Sequence, residues 1–236
     1  MEKIVRPIAN RHYPLPEGSW KYYQEWHNVL MLHYLADRSY LTELLPQGVA
    51  LDTFNGKAWV SLCGFSVKKL RPRFLGSLLC LPSFNEVNLR TYVIRDGLPG
   101  IYLLSIEADA ALDVLLPRLL LGIPYVKAEV HRGNWYFLAQ HQGRGSKLEV
   151  EYFPKGATIK DRLDYWLTER HALYVKSKGK LYRFDIHHKE WKLRDVKIKG
   201  IIENYTSAAA FTSRPDRQHF SKKISIVLRG RKIVSR

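Results

Sequence analysis

Cysteine is nearly missing from this sequence: Cys63 and Cys80 are the only two, and neither belongs to a CxxC or a Cys/His cluster. That argues against a disulfide framework or a zinc module, and sets a reducing compartment as the expectation. Long hydrophobic runs are missing too. The most apolar tract, "AALDVLLPRLLLGI", is interrupted by Asp113, Pro117 and Arg118, and is too short and too charged to span a bilayer. The opening "MEKIVRPIANRHYPLP" lacks the apolar core of a signal peptide. These absences lead to the expectation of a cytoplasmic protein with no membrane partner. Without a low-complexity segment, an internal repeat or a Pro/Gly/Ser-rich linker, residues 1–236 read as a single domain.

Acidic residues are the third scarcity. Twenty-two Asp and Glu face 38 Lys and Arg, a net charge of +16, which gives a non-specific pull toward polyanions. The basic tracts "VKKLRPR", "YVKSKGKLYR", "KLRDVKIKG" and "LRGRKIVSR" are nevertheless scattered along the chain. No helix-turn-helix, zinc-finger or RNP aromatic signature accompanies them, so nucleic acid is not the expected partner.

What is present favours strands. Fourteen Tyr and six Trp are spread through the chain, and aromatic residues fit a pleated, half-buried surface. Residues 26–36, "WHNVLMLHYLA", read as a mostly buried strand. Asp37 is placed to cap a short helix with Leu41, Leu44 and Leu45 on its apolar side and Pro46 after its end. Asn55-Gly56 supplies the two positive-φ positions of a hairpin turn between apolar runs. "LRPRFLGSLLCLPS" reads as a loop. Strands at 86–95 and 101–108 are expected to pair antiparallel through "DGLPG", and Asp109 to cap a helix closed by Gly122. A strand meander, a helical turn at "TIKDRLDYWL" and four more strands complete the reading. The expected fold is mainly β, a large antiparallel sheet, curved or closed, with a few packed helices.

Side chains on a strand alternate between faces. In "FNEVNLRTYV", Glu86, Asn88, Arg90 and Tyr92 therefore share one face, against Val87, Leu89, Thr91 and Val93. Such a row is a solvated face, an internal polar network, or the lining of a cavity. In "GIPYVKAEV" the same alternation puts Tyr125, Lys127 and Glu129 together, and a lysine buried in a cavity becomes an amine nucleophile. Other chemistry is thin. There is no GxSxG, Walker A or GxGxxG, and "HQGRGSKLEV" lacks the spacing of a phosphate cradle. Cys63, among apolar neighbours, reads as packing. His187 and His188 point to opposite faces of a strand and cannot share an ion; without HxH or HExxH elsewhere, no metal site and no cofactor is expected.

Several segments taken together resemble the YqjF-like bacterial family: "VLMLHYLADRSYLTELLPQGVALDTFNGKAWVSL", "FNEVNLRTYV", "PRLLLGIPYVKAEV", "DYWLTERHALY" and "LYRFDIHHKEWKL". The likeness runs over about 26–228. That family is similar in turn to acetoacetate decarboxylase, which implies a large antiparallel β-barrel or cone around a cavity. The resemblance makes Glu86 the match of the decarboxylase's cavity glutamate, and "GIPY" the match of the aromatic-Pro-Lys-Lys segment that holds its imine-forming lysine. Here the chain departs: Tyr125 and Val126 follow Pro124 where the two lysines would stand, and His27 takes the place of a substrate-binding arginine.

The resulting expectation is a protein that binds a small organic ligand inside the cone, with Glu86, Tyr125 and Lys127 as catalytic candidates should it be an enzyme. His27, Asn88, Arg90 and Tyr92 are the ligand-binding candidates. A basic module working through its exterior is the alternative, and a cone occluded by Trp59, Tyr102 or Trp135 is a third. Oligomeric state and ligand identity stay open.

Overall fold

The computed structural model describes residues 11, 13–15, 18–75, 80–109, 123–205 and 214–235. In chain order the elements are β1 (Tyr22–Ala36), α1 (Arg38–Leu44), β2 (Ala50–Leu51), β3 (Ala58–Pro72), β4 (Phe84–Arg95), β5 (Leu98–Ala108), β6 (Val126–Lys127), β7 (Glu129–Gly133) and β8 (Tyr136–His141). They continue with β9 (Ser146–Ala157), α2 (Arg162–Thr168), β10 (Ala172–Ser177), β11 (Lys180–His188), β12 (Arg194–Asn204), β13 (Arg217–Leu228) and β14 (Lys232–Ser235).

The strand order runs β14-β11-β10-β5-β4-β3-β1-β13-β12-β9-β8-β7, and β11 pairs again with β13. That extra pairing, Ile186 to Leu228 and His188 to Ile226, closes β1, β3, β4, β5, β10, β11 and β13 into a ring. Closure leaves each of these seven strands paired on both sides. Strands β12, β9, β8 and β7 extend from β13 as an arm that folds over the ring's outer face. Leu30, Leu32, Val60, Leu62, Val87 and Leu89 pack there against Phe137, Ala139, Leu148 and Val150. Gly64 makes the contact possible, since a Cβ there would stand 2.6 Å from the ring of Phe137.

The ring's inner face holds the other large core, with Met31, Cys63, Phe65, Ile101, Ile106, Leu173, Ile186 and Ile226 among its members. Both faces of β3 and β4 are thus buried. Asn28, at φ +50°, bulges β1 and slips its pairing with β3 between His27 and Leu30. The slip exchanges the strand's faces: Gln24 and Trp26 point inward before it, Val29 and Met31 after it.

Local expectations fare unevenly. Asp37 caps α1, accepting from the Tyr40 amide at 2.8 Å. Asn55 and Gly56 both carry positive φ, as a tight turn requires. The segment before them, however, pairs with β4 (Leu51 to Val93) and not with β3. The stretch read as a loop, 70–83, opens instead with the end of β3 and a 3₁₀ turn at Arg73–Leu75, while 80–83 carry no helix or strand. The helix expected from Asp109 to Gly122 lies almost wholly outside the described residues. Of the three aromatics named as occluders, only Trp59 belongs to the inner core. Tyr102 sits in a separate cluster, and Trp135 is 40% exposed. Among the described residues no helix is long and apolar enough to cross a membrane.

Candidate functional site

Strand β4 turns Glu86, Asn88, Arg90 and Tyr92 to the ring interior, all at 5% exposure or less, which removes the solvated-face reading. At the Glu86–Asn88 end of this row a cavity of about 40 Å³ lies between Gln24, Trp26, Glu86, Asn88, Tyr125 and a wall of Ile and Leu that includes residues of β5, β10, β11 and β13. Glu86 is its centre. Asn88 Nδ2 donates to one carboxyl oxygen at 3.0 Å and the Tyr125 hydroxyl to the other at 2.8 Å. Burial pushes the Glu86 carboxyl up to about 7, against the pull of Asn88, Tyr125 and the Arg90 charge. Burial and the facing carboxyl together push the Tyr125 phenol well above its ordinary range, so it stays a donor.

Two polar atoms of cavity-lining residues have no hydrogen-bond partner among the described residues: the indole N–H of Trp26 and Oδ1 of Asn88. One is a donor and the other an acceptor. Buried polar atoms are normally paired, so a spare pair beside a buried carboxyl is what a small polar ligand would satisfy.

The rest of the expected set divides. Arg90 lies further along the β4 face, with Nη2 3.9 Å from Met31 Sδ and Nε without a partner among the described residues. It does not line the cavity, and it acts on Glu86 through its field, not through an ion pair. Burial weighs against its charge, but the Cys63, Tyr92 and Glu86 side chains outweigh that and hold it ionised. Tyr92 is committed elsewhere. Its hydroxyl meets Ser61 Oγ at 2.6 Å, Ser61 meets His33 Nδ1 at 2.6 Å, and His33 Nε2 lies 3.1 Å from His219 Nδ1. His219 Nε2 then reaches Asp164 at 3.0 Å, which also binds Arg217 at 3.1 Å.

Two candidates fall outside. His27 sits on the outer face of β1, its Nε2 2.9 Å from Glu25, because the inward positions on that stretch are Gln24 and Trp26. Lys127 is exposed and lines an outer groove with Asp109, Glu129 and His131. The strand pairing lasts only two residues there, so Tyr125 turns in while Lys127 turns out. The cavity's described lining holds no lysine at all. Gln24 and Trp26 were missed in the sequence, since the bulge at Asn28 breaks the alternation that would have revealed them.

The closed strand ring is of the acetoacetate decarboxylase-like fold. Among solved structures, acetoacetate decarboxylase from Legionella pneumophila matches with a TM-score of 0.63, at 12% identity over 95% of this chain and 93% of that one. The enduracididine biosynthesis enzyme MppR complexed with pyruvate matches with a TM-score of 0.62, at 12% identity over 92% and 91%. At such identity the likeness concerns the fold. The chain itself belongs to the DUF2071 family of uncharacterized conserved proteins, whose pattern matches residues 23–225. It is 36% identical to the uncharacterized protein YqjF of Bacillus subtilis (strain 168), over 95% of this chain and 97% of that protein.

Proposed function

We propose that the protein binds a small carbonyl compound or short oxo acid in the ring interior, with Glu86 as the group that gives or takes a proton. The observation that carries this reading is the buried Glu86 carboxyl, poised near neutrality beside the spare Trp26 donor and Asn88 acceptor. A carboxyl that is half protonated at working pH suits general acid–base chemistry. A cavity of about 40 Å³ favours ligands of few heavy atoms, far below the roughly 300–1,000 Å³ of drug-sized sites. The pyruvate bound by the structurally similar MppR belongs to the same size class. An imine route through Lys127 is not part of the proposal, because that amine stands outside the cavity.

Among the described residues the cavity lining also holds no cation, so a ligand carboxylate would need the protonated form of Glu86 as its partner. Acid binding should therefore weaken about tenfold per pH unit above 7. A thermal-shift screen of short keto acids, carboxylic acids and ketones tests this at pH 6 and 8, at low and high salt. A hit that survives salt, fades at pH 8 for the acids and is lost in Glu86→Ala supports the reading. Hits that vanish with salt and ignore Glu86 would shift attention to the basic exterior, which neither the site geometry nor the relatives above support.

A further inference from the structure

The two signature tracts "LTERHALY" and "DIHHKEW" meet inside the ring. Glu169 caps α2, His171 precedes β10 and His188 ends β11, and all three are at 3% exposure or less. One donor atom from each lies within 4.8 Å of the others.

We propose that Glu169, His171 and His188 form a binding site for a single divalent transition-metal ion, with two imidazoles and one carboxylate as its protein ligands.

Two observations beyond proximity point to a cation. Glu169 Oε1 is fully engaged, accepting from Lys160 Nζ at 2.5 Å and from the Trp191 amide at 3.1 Å. Its Oε2 is buried and has no hydrogen-bond partner among the described residues. Secondly, His188 Nδ1 stands 2.7 Å from the Lys189 carbonyl, the contact that fixes Nδ1–H as donor and leaves Nε2 with a lone pair. That lone pair faces another acceptor, the Arg170 carbonyl at 3.4 Å. Lys160 neutralises the Glu169 carboxylate from its Oε1 side, while on the other side the bare Oε2, the His188 lone pair and the Arg170 carbonyl converge in a buried space with no donor among the described residues. A neutral imidazole is the form that ligates a metal.

Nitrogen donors select Zn²⁺, Co²⁺ or Fe²⁺ over Mg²⁺ or Ca²⁺. With bonds of about 2.0–2.2 Å, donors around a tetrahedral ion sit about 3.4 Å apart, so modest rotamer movement draws these three in. His188 pairs with Ile226, a residue of the cavity wall, and its ring packs 5.7 Å from Trp191, which in turn lies 6.2 Å from Trp26. The ion would thus stand on the inner wall close to the ligand cavity, although the inference does not depend on what that cavity binds.

The test is titration of chelator-treated protein with Co²⁺, followed by metal analysis and visible absorption. One equivalent bound, with ligand-field bands that show imidazole coordination, is expected in the wild type and in the surface variant His131→Ala. Glu169→Gln and His188→Ala are expected to lose at least tenfold in affinity. Should those variants fail to fold, Lys160→Met keeps all three ligands and removes the competing ammonium, so its melting point should rise more with Zn²⁺ than that of wild type. Absence of one-to-one uptake by folded wild type overturns the site, as does uptake indifferent to Glu169 and His188.

Discussion

The Tyr125 hydroxyl donates to Glu86 Oε2 across 2.8 Å, tying the segment after Pro124 to the middle of the ring. The residue that stands where a nucleophilic lysine would be expected therefore serves the carboxyl and supplies no amine. Tyr125→Phe leaves a buried carboxyl oxygen short of its donor, which costs about 1–3 kcal/mol. It should also raise the pH at which Glu86 ionises, because that hydrogen bond favours the charged form. Urea denaturation and a carboxyl-resolved NMR titration read the two effects; an unchanged titration would contradict the assignment.

Glu86 also makes stability depend on pH. Its folded value of about 7 lies above its ordinary 4.5, so between those values the folded state holds a proton that the unfolded chain releases. Stability from this group is complete below pH 4.5, falls as pH rises toward 7 and is flat above it, by on the order of 3 kcal/mol in total. Glu86→Gln cannot ionise and lacks the slope. Its stability relative to wild type should improve by that amount between pH 4.5 and pH 8, followed by denaturant midpoints at each pH.

Arg90 gives a third test. Replacing one member of a buried ion pair costs about 3–5 kcal/mol, since a charge is left alone. Arg90 touches Met31 Sδ, hydrogen-bonds the neutral Tyr92 and influences Glu86 only through its field, so with no ion pair broken Arg90→Met should cost less than that. The same change should move the Glu86 ionisation to higher pH. A loss above 5 kcal/mol would indicate a direct partner.

The relay behind the cavity is structural in its energetics. His219 links His33 and Asp164 at 3.1 and 3.0 Å in a space where all three are buried. His219→Ala strands the His33 Nε2 and leaves Asp164 Oδ1 with Arg217 alone, and should cost about 1–3 kcal/mol. The exposed His131→Ala should stay within about 0.5 kcal/mol. Equal effects of the two would refute the relay's role in stability.

Much of this architecture was legible in the sequence, and the failures have physical causes. Alternation in 84–93 placed Glu86, Asn88, Arg90 and Tyr92 on one inner face because β4 runs unbroken from Phe84 to Arg95. His27, taken from the resemblance and not from alternation, lies outside because Gln24 and Trp26 hold the inward positions there, and alternation failed at Lys127 because β6 ends after two residues. It could not show that Arg90 leans toward Met31, away from Glu86, which only the packing of β1 against β3 and β4 decides. Nor could it bring Glu169 and His171 to His188. Adjacent histidines on a strand do diverge, but the partners of His188 arrive from the end of α2 and the start of β10, brought there by the β10–β11 pairing of Ala172 with Asp185 and the Ile186 amide on the His171 carbonyl.

Lys127 supplies a negative control. Its side chain is exposed and apart from the cavity, so Lys127→Ala should leave stability within about 0.5 kcal/mol and ligand response unchanged. Borohydride added with a keto acid should yield no adduct at this residue. A stable adduct would restore the imine route.

The most direct measurement is a crystal structure of the protein with the compound that gives the largest salt-resistant thermal shift. The account predicts ligand density inside the ring, within hydrogen-bond reach of Glu86 and of the Trp26 N–H or Asn88 Oδ1. Density confined to the outer groove beside Lys127 and His131, with the ring interior unaltered, would contradict it.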